Sequence, residues 1–409
     1  MKSEQTLITA SEALEDCTHD GREGPRLRVL RSASELDEMR QLWRSSCVNP
    51  NCDIDYFLTV VDSRSNIVRP HVTVVSGGDG SKAIVVARLE DAILETKFGY
   101  RVLFRSRVRQ LTVVYGGLMG DLSAANAASV IASLKGALGA GEADVVFFNS
   151  VSVDSPVYAA ARSAGGVWGK DYFEEIRPHW RARLAGDYKT FVSTLSSNTR
   201  HNLRRYSSRL VKTFGSRLVV KRFSAPDDLD TIMTDTELVA SQTYHRGLGV
   251  GFVPNQEMRR LTELALKQGW FRAYILYIDE APCAFWNGWR YGRTFYTGST
   301  GSDSAYGEHR IGTFLLTKLF EDLCDNRLAD YLDFGFGDAQ YKRDFCEDHW
   351  NEATFRLYAP TLRGFLVNGI RTPILAAERA GRQLLGRTAL LDKAKRAWRQ
   401  RVTGSVQTQ

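Results

Sequence analysis

The 409 residues are 43% apolar and 25% charged, the balance of a globular chain long enough for two or more domains and ample core. No uncharged apolar run approaches the ~18 residues of a membrane span, and the start MKSEQTLITASEALEDC lacks a signal-peptide apolar segment, so a cytoplasmic protein is expected. The net charge of +7 is uneven: from 360 to 409 ten Lys and Arg meet only Glu378 and Asp392, and the nearly neutral remainder argues against a nucleic-acid-binding protein.

Residues 1–24 are polar and aperiodic and read as disordered. Residues 27–30 read as a strand. A helix over 34–47 follows, with Ser34 as N-cap and Leu36, Met39, Leu42 and Trp43 on one face, and a short helix over 54–61 comes next. Residues 72–75 and 84–89 flank a Ser-Gly-Gly-Asp-Gly turn and predict a hairpin. A strand over 111–115 is expected to stop at Gly116 and Gly117. Then come an Ala-rich helix (123–138), a buried strand (144–148) and a helix (156–163). The second half repeats the plan. It has a strand (218–222), a helix (227–244) with Pro226 in its first turn, strands 272–278, 283–289 and 293–299, a helix after 307, and a strand over 331–334. Helix, hairpin, strand, helix, strand occurs twice, so an α/β fold with mixed sheets in two like halves is expected. The boundaries read as 25–180 and 181–360, followed by a basic helical tail over 361–409. The six cysteines, at 17, 47, 52, 283, 324 and 346, lack C-x-x-C spacing and read as reduced thiols, and the seven scattered histidines give no metal-ligand pattern.

Two basic stretches stand out. In 196–214, Leu203, Tyr206, Leu210 and Phe214 share a helical stripe, while Arg200, Arg204, Arg205, Arg209 and Lys212 occupy the rest, and no acid occurs from 188 to 226. This is either a cradle for phosphates of a cofactor or of a nucleotide- or lipid-linked substrate, or a solvated face. The amphipathic run 376–401 is either a peripheral anchor at an anionic inner membrane face or a helix packed on the body.

The chemistry is sought between 295 and 345. Glycines before a helix start let backbone amides approach a phosphate, so the turn with Gly307, Arg310, Ile311, Gly312 and Thr313 is a candidate diphosphate site beside the strand bearing Tyr296, Thr297 and Gly298. It is neither a Walker loop nor a dinucleotide-binding fingerprint. The order of meander, glycine-flanked helix and strand, together with Asp333-Phe334-Gly335-Phe336-Gly337-Asp338-Ala339-Gln340-Tyr341-Lys342, resembles the GNAT acyltransferase superfamily. In detail it is similar to the CelD-like branch related to FemABX transferases, whose helix with Asn-x-x-Arg-Arg resembles 196–214. The superfamily's usual turn is Gln/Arg-x-x-Gly-x-Gly/Ala; His309-Arg310-Ile311-Gly312-Thr313-Phe314 keeps its central glycine and differs at both ends.

The resemblance implies tandem GNAT-like halves with the acyl-donor site in the second, and acetyl-CoA as co-substrate. It also implies a sugar-containing or lipid-linked envelope or exopolysaccharide precursor as acceptor. Tyr341 and Lys342 would lie near the donor, with Lys342 neutralising phosphate or a developing oxyanion. Asp338 is a candidate base or amine anchor, or else a helix cap. Arg200, Arg204, Tyr244 and His245 are candidate acceptor contacts. The aromatics Trp286, Trp289, Tyr291 and Tyr296 read as core and cleft wall. Two rival readings are an aminoacyl-tRNA-dependent transferase and a non-catalytic scaffold of a polysaccharide synthase complex.

Overall fold

The structure is a computed structural model that describes residues 25–99, 101–166, 168–184, 186–243 and 251–385. The expected disorder of 1–24, Tyr244 and His245, and the tail from 386 onward all lie outside the described residues. Twelve strands form one mixed sheet, ordered β1-β2-β3-β4-β5-β12-β6-β11-β10-β9-β8-β7. The first half holds β1 (Arg26–Leu30), β2 (Ile67–Ser76), β3 (Lys82–Phe98), β4 (Arg101–Gly120) and β5 (Val145–Ser152). The second holds β7 (Leu218–Phe223), β8 (Phe271–Ile278), β9 (Ala281–Tyr291), β10 (Thr294–Ser302) and β11 (Tyr331–Phe336). Each half contains one parallel pair, β4 with β5 and β10 with β11, the mark of a helical crossover between the paired strands.

The two remaining strands are exchanged. β6 (Glu175–Arg183), which follows the first half in sequence, pairs with β11 of the second. β12 (Asp348–Tyr358), which ends the second half, pairs with β5 of the first. β6 and β12 then pair with each other at the centre, Trp350 opposite His179 and Glu352 opposite Arg177. The expected boundary at 180/181 falls inside β6, so each half completes its sheet with the other's last strand.

Helices cover both faces. On one face α4 (Ala124–Gly139) and α5 (Pro156–Ala164) pack on Leu111, Val113, Phe148 and Phe355. On that same face α6 (Tyr188–Thr194), α7 (Ser197–Phe214) and α10 (Ile311–Asp325) pack on Tyr274, Leu276, Phe295 and Leu332. The other face carries α1 (Ala33–Glu38), α2 (Arg40–Ser46) and α3 (Ile54–Ser63) in the first half, and α8 (Leu229–Ser241) and α9 (Gln256–Lys267) in the second. Alternation along each strand drives this division: Val74, Ile84 and Val86 point to α1–α3, whereas Val75, Ala83 and Val85 point to α4. The two outer layers meet where Arg64 of α3 donates twice to Glu257 of α9, at 2.6 and 2.9 Å.

Several elements differ from the sequence expectation. The 34–47 helix is two helices broken at Met39, and its cap is Ser32, in a capping box with Glu35, rather than Ser34. Gly116 and Gly117 do not end β4. Gly116 takes φ 76°, a register shift lies between Val85 and Ala87 opposite, and the strand runs on to Gly120. The 227–244 helix starts at Leu229 after a 3-10 turn containing Pro226. In the tail, α12 (Leu362–Leu385) packs on the body through Val367, Asn368 and Arg371, all buried, whereas no residue of 376–383 is buried.

Candidate active site

β10 and β11 run side by side only for Thr294–Tyr331, Phe295–Leu332 and Tyr296–Asp333. Beyond Tyr296, β10 stays with β9 while β11 follows β6, and the two diverge into a V. Asn287 of β9 fills a bulge there: its Oδ1 accepts from the amide (2.7 Å) and hydroxyl (3.0 Å) of Ser299. Gly298 must be glycine, because a Cβ would meet Asn287 Oδ1 and the Trp289 ring at 2.7 Å each. Thr297 holds the last regular pair with Gly288 before the bulge. The Tyr296 hydroxyl donates to the carbonyl of Val48 at 2.7 Å, and burial followed by the nearby Asp333 carboxylate pushes its pKa up to about 12. This tyrosine therefore ties the first half's 47–53 loop to the V. Tyr291 makes the same kind of tie, donating to Asp53 at 2.9 Å.

Of the other helices, α4, α5, α6, α7 and α9 each begin at a Ser, Asp or Asn whose side chain accepts from the first turn. By contrast, α10 begins at Arg310 in the left-handed region (φ 53°, ψ 40°), with no capping side chain, after a 3-10 turn containing Gly307. The amides of Ile311, Gly312 and Thr313 thus begin a 15-residue helix without side-chain acceptors, at the positive end of its dipole. Trp286 connects this start to the V. Its indole N–H donates to Gly312 O at 3.3 Å, and its ring lies 6.1 Å from both Phe334 and Tyr341. The expected turn, 307–313, and Tyr341 therefore flank one aromatic cluster.

The motif after β11 is organised differently from the expectation. Lys342 is buried, and its ammonium donates to the carbonyls of Phe334 (2.8 Å), Gly335 (3.2 Å) and Phe336 (2.9 Å). All three N–H groups are used, and burial lowers its pKa to about 8. Lys342 is thus a brace for the glycine-broken end of β11, which corrects its assignment to donor phosphate or oxyanion. Asp338 is exposed and paired with Arg343, whose guanidinium holds the carboxyl below its usual range, the opposite of what a base requires. The expected role of Asp338 as base is corrected on that ground. Tyr341 belongs to α11 (Gln340–Phe345), with its ring 5.6 Å from Phe334.

The group that sequence reasoning missed lies on the other side of the V. His179, Trp350 and Glu352 share the face of β6 and β12 that points away from α4, α5, α7 and α10, and Asp333 of β11 joins them. His179 Nε2 donates to Asp333 Oδ1 at 2.8 Å, and Gly335 N donates to the same oxygen at 2.7 Å. Glu352 Oε2 lies 3.2 Å from His179 Nδ1 in an ion-pair contact without a hydrogen bond of its own, while Oε1 accepts from Trp350 at 2.9 Å. The imidazole stacks on Trp350 with centroids 4.3 Å apart, and Tyr115 places its hydroxyl 3.3 Å from Nδ1. Burial opposes the charge on His179, but Asp333 and Glu352 outweigh it and raise the pKa to about 9. Burial, then the same two carboxylates, push Tyr115 far up, so it stays a phenol. The only sequence signal was one histidine in the alternating stretch RPHWRAR, which does not announce the long-range pairing that surrounds it.

The basic helix α7 lies apart from the V. Its last residue, Phe214, meets Tyr306 and His309 at the start of α10. Its first turns lie instead against α6, where Arg200 donates to the carbonyls of Ser193 (3.1 Å) and Leu195. Arg200 and Arg204 line a cavity of about 720 Å³ with Lys189 and Glu321. Because α7 is 18 residues long, these two arginines stand about 15–20 Å from the α10 start at the helical rise of 1.5 Å per residue. The structure therefore does not bring Arg200 and Arg204 together with Ile311–Thr313.

Residues 197–343 match the family model described as an acetyltransferase (GNAT) domain. The matched stretch takes in α7, the V, the uncapped α10 start and the whole DFGFGD…YK motif. The second half of the chain is thus similar to a GNAT acetyltransferase domain. No curated protein matches the chain. Among solved structures, FemX aligns with 69% of this chain and 87% of its own at 10% identity and a TM-score of 0.46. L-PGS from Bacillus licheniformis aligns with 83% of this chain and 97% of its own at 12% identity and 0.47. A tandem GNAT protein from the clavulanic acid biosynthesis pathway aligns with 82% and 99% at 13% identity and 0.45.

Proposed function

We propose that the chain transfers an acyl group, acetyl in the first instance, from an acyl-CoA to an amine or hydroxyl of a sugar-containing envelope or exopolysaccharide precursor. The observation that carries the reading is the uncapped start of α10 at the open end of the β10/β11 V, joined to it by Trp286. The residues fit such a donor. The amides of Ile311, Gly312 and Thr313, with Arg310 exposed beside them, suit a diphosphate, and the β10 edge past Tyr296 suits an amide-bearing arm.

On the far side of the V, the Tyr115 phenol is held protonated and donates a hydrogen bond to the thioester sulfur, while the proton given up by the attacking amine or hydroxyl passes to the leaving thiolate. His179, charged between Asp333 and Glu352, orients that phenol and fixes the field around it. Tyr115, Phe336 and Trp350 offer aromatic surfaces that suit a sugar ring. Tyr244 and His245 stay as candidate acceptor contacts, whereas Arg200 and Arg204, on the opposite face of the sheet, fall outside the acceptor site.

The test gives the purified chain acetyl-CoA, or separately an aminoacyl-tRNA, with a panel of amino sugars and nucleotide sugars. Acceptor-dependent release of CoA thiol is expected. Deacylation of the tRNA instead, or consumption of neither donor, would overturn the reading.

A further inference from the structure

α12 runs in an unusual setting for an amphipathic helix. At spacings of three and four residues, Leu362, Leu366, Ile370, Pro373, Ala377 and Ala380 are all exposed, with Phe365 beside them; Leu362 is 75% and Leu366 55% accessible. The opposite side, Gly364, Val367, Asn368 and Arg371, is buried. The helix thus turns its apolar stripe to solvent.

It cannot roll over to hide that stripe, because its inner side is polar and fully engaged. Arg371 donates from Nε to Tyr358 OH (3.1 Å) and from Nη1 to Glu95 O and Thr96 Oγ1 (3.2 Å each), and Tyr358 OH donates to Asp171 at 2.6 Å. Asn368 donates to the carbonyls of Trp168 and Lys170. Rolling would strand these buried groups, at about 1–3 kcal/mol for each unpaired one. At its start the stripe continues into an apolar cavity of about 310 Å³, walled by Phe365, Leu138 and Leu357, with Trp168 exposed at its rim.

We infer that this face of α12 docks on an anionic lipid bilayer. The charge pattern selects that occupant. Arg363 is exposed on the flank of the stripe, and the sequence that follows α12 adds Arg387, Lys393, Lys395, Arg396, Arg399 and Arg401 against Asp392 alone. A second copy of the chain would bring this positive charge against itself. A nucleic acid would satisfy the arginines but leave Leu362, Phe365, Leu366 and Ile370 in water. An anionic membrane surface meets both, with the stripe in the acyl boundary and the arginines at the headgroups. Among the described residues no helix is long and apolar enough to cross a membrane, so the contact is with the surface.

The test is co-sedimentation of the full chain with phosphatidylglycerol-containing vesicles and with pure phosphatidylcholine vesicles. The wild type is expected on the anionic vesicles only, with binding that weakens as salt rises. Leu366→Glu with Ile370→Glu, both at exposed sites, is expected to weaken binding about tenfold or more without changing the melting curve. Lys395→Glu with Arg396→Glu, in the basic sequence after α12, should weaken it independently. Wild-type indifference to anionic vesicles overturns the inference, as does equal binding by the apolar double variant. A wild-type dimer that this variant converts to monomer in light scattering also overturns it, by making the stripe a self-interface.

Discussion

His179 Nε2 lies 2.8 Å from Asp333 Oδ1, and that contact joins the strand that follows the first half to the strand at the V of the second. With Glu352 on the other ring nitrogen, one imidazolium is shared by strands from both halves. Its folded pKa of about 9 stands above the unfolded value of about 6.5, so the stability it contributes is complete below pH 6.5. That contribution fades as the pH rises through 9 and is about 3 kcal/mol at most. His179→Gln should be less stable at pH 6.5, and the gap to the wild type should narrow by pH 9. Urea unfolding at both pH values checks this, and parallel curves would contradict it.

Tyr115 reports on the chemistry without the fold. Tyr115→Phe keeps the ring beside His179 and Phe336 and removes only the hydroxyl. Turnover should fall roughly 10–100-fold, the range for losing one hydrogen bond of about 1.5–3 kcal/mol to a developing charge, with the donor KM and the melting temperature little changed. Steady-state kinetics on the acceptor found by the donor screen measures it.

Lys342→Ala tests the brace. Three carbonyls lose their donor, so the variant should lose about 2–4 kcal/mol of stability. The depressed pKa adds a sign of its own. A lysine at about 8 folded and 10.5 unfolded weighs against the folded state below pH 8, and that weight lifts between pH 8 and 10.5. Differential scanning calorimetry reads the loss. An unchanged melting curve with lost turnover would return Lys342 to the donor.

The sequence carried the local parts of this molecule well. Strands β8 to β10, the helix after Gly307 and the DFGFGD turn are each signalled by neighbours in sequence, through alternation, glycine and turn chemistry. The exchange of β6 and β12 was not legible, since pairing 175–183 with 331–336 and 348–354 depends on the packing of the whole sheet. The same limit hid His179, whose role exists only once β6, β11 and β12 meet. Lys342 was visible as a motif lysine, but sequence does not show that its ammonium turns inward to Phe334, Gly335 and Phe336. Arg200 and Arg204 share a helix with residues that do reach the donor turn, and only helix length and direction reveal their separation from it.

The measurement closest to the central claim is a calorimetric titration of CoA into the full chain, run beside Gly312→Val. A Cβ at Gly312 meets only the Ser302 side chain, at 3.6 Å or more, so a side chain can start there without a clash, and the first turn is then no longer bare for a phosphate; an unchanged melting curve checks that the variant folds. The account predicts saturable CoA binding with a Kd in the range of about 1 μM to 1 mM for the wild type, weakened about tenfold or more in the variant. No heat at millimolar CoA, or equal binding by both proteins, would contradict it.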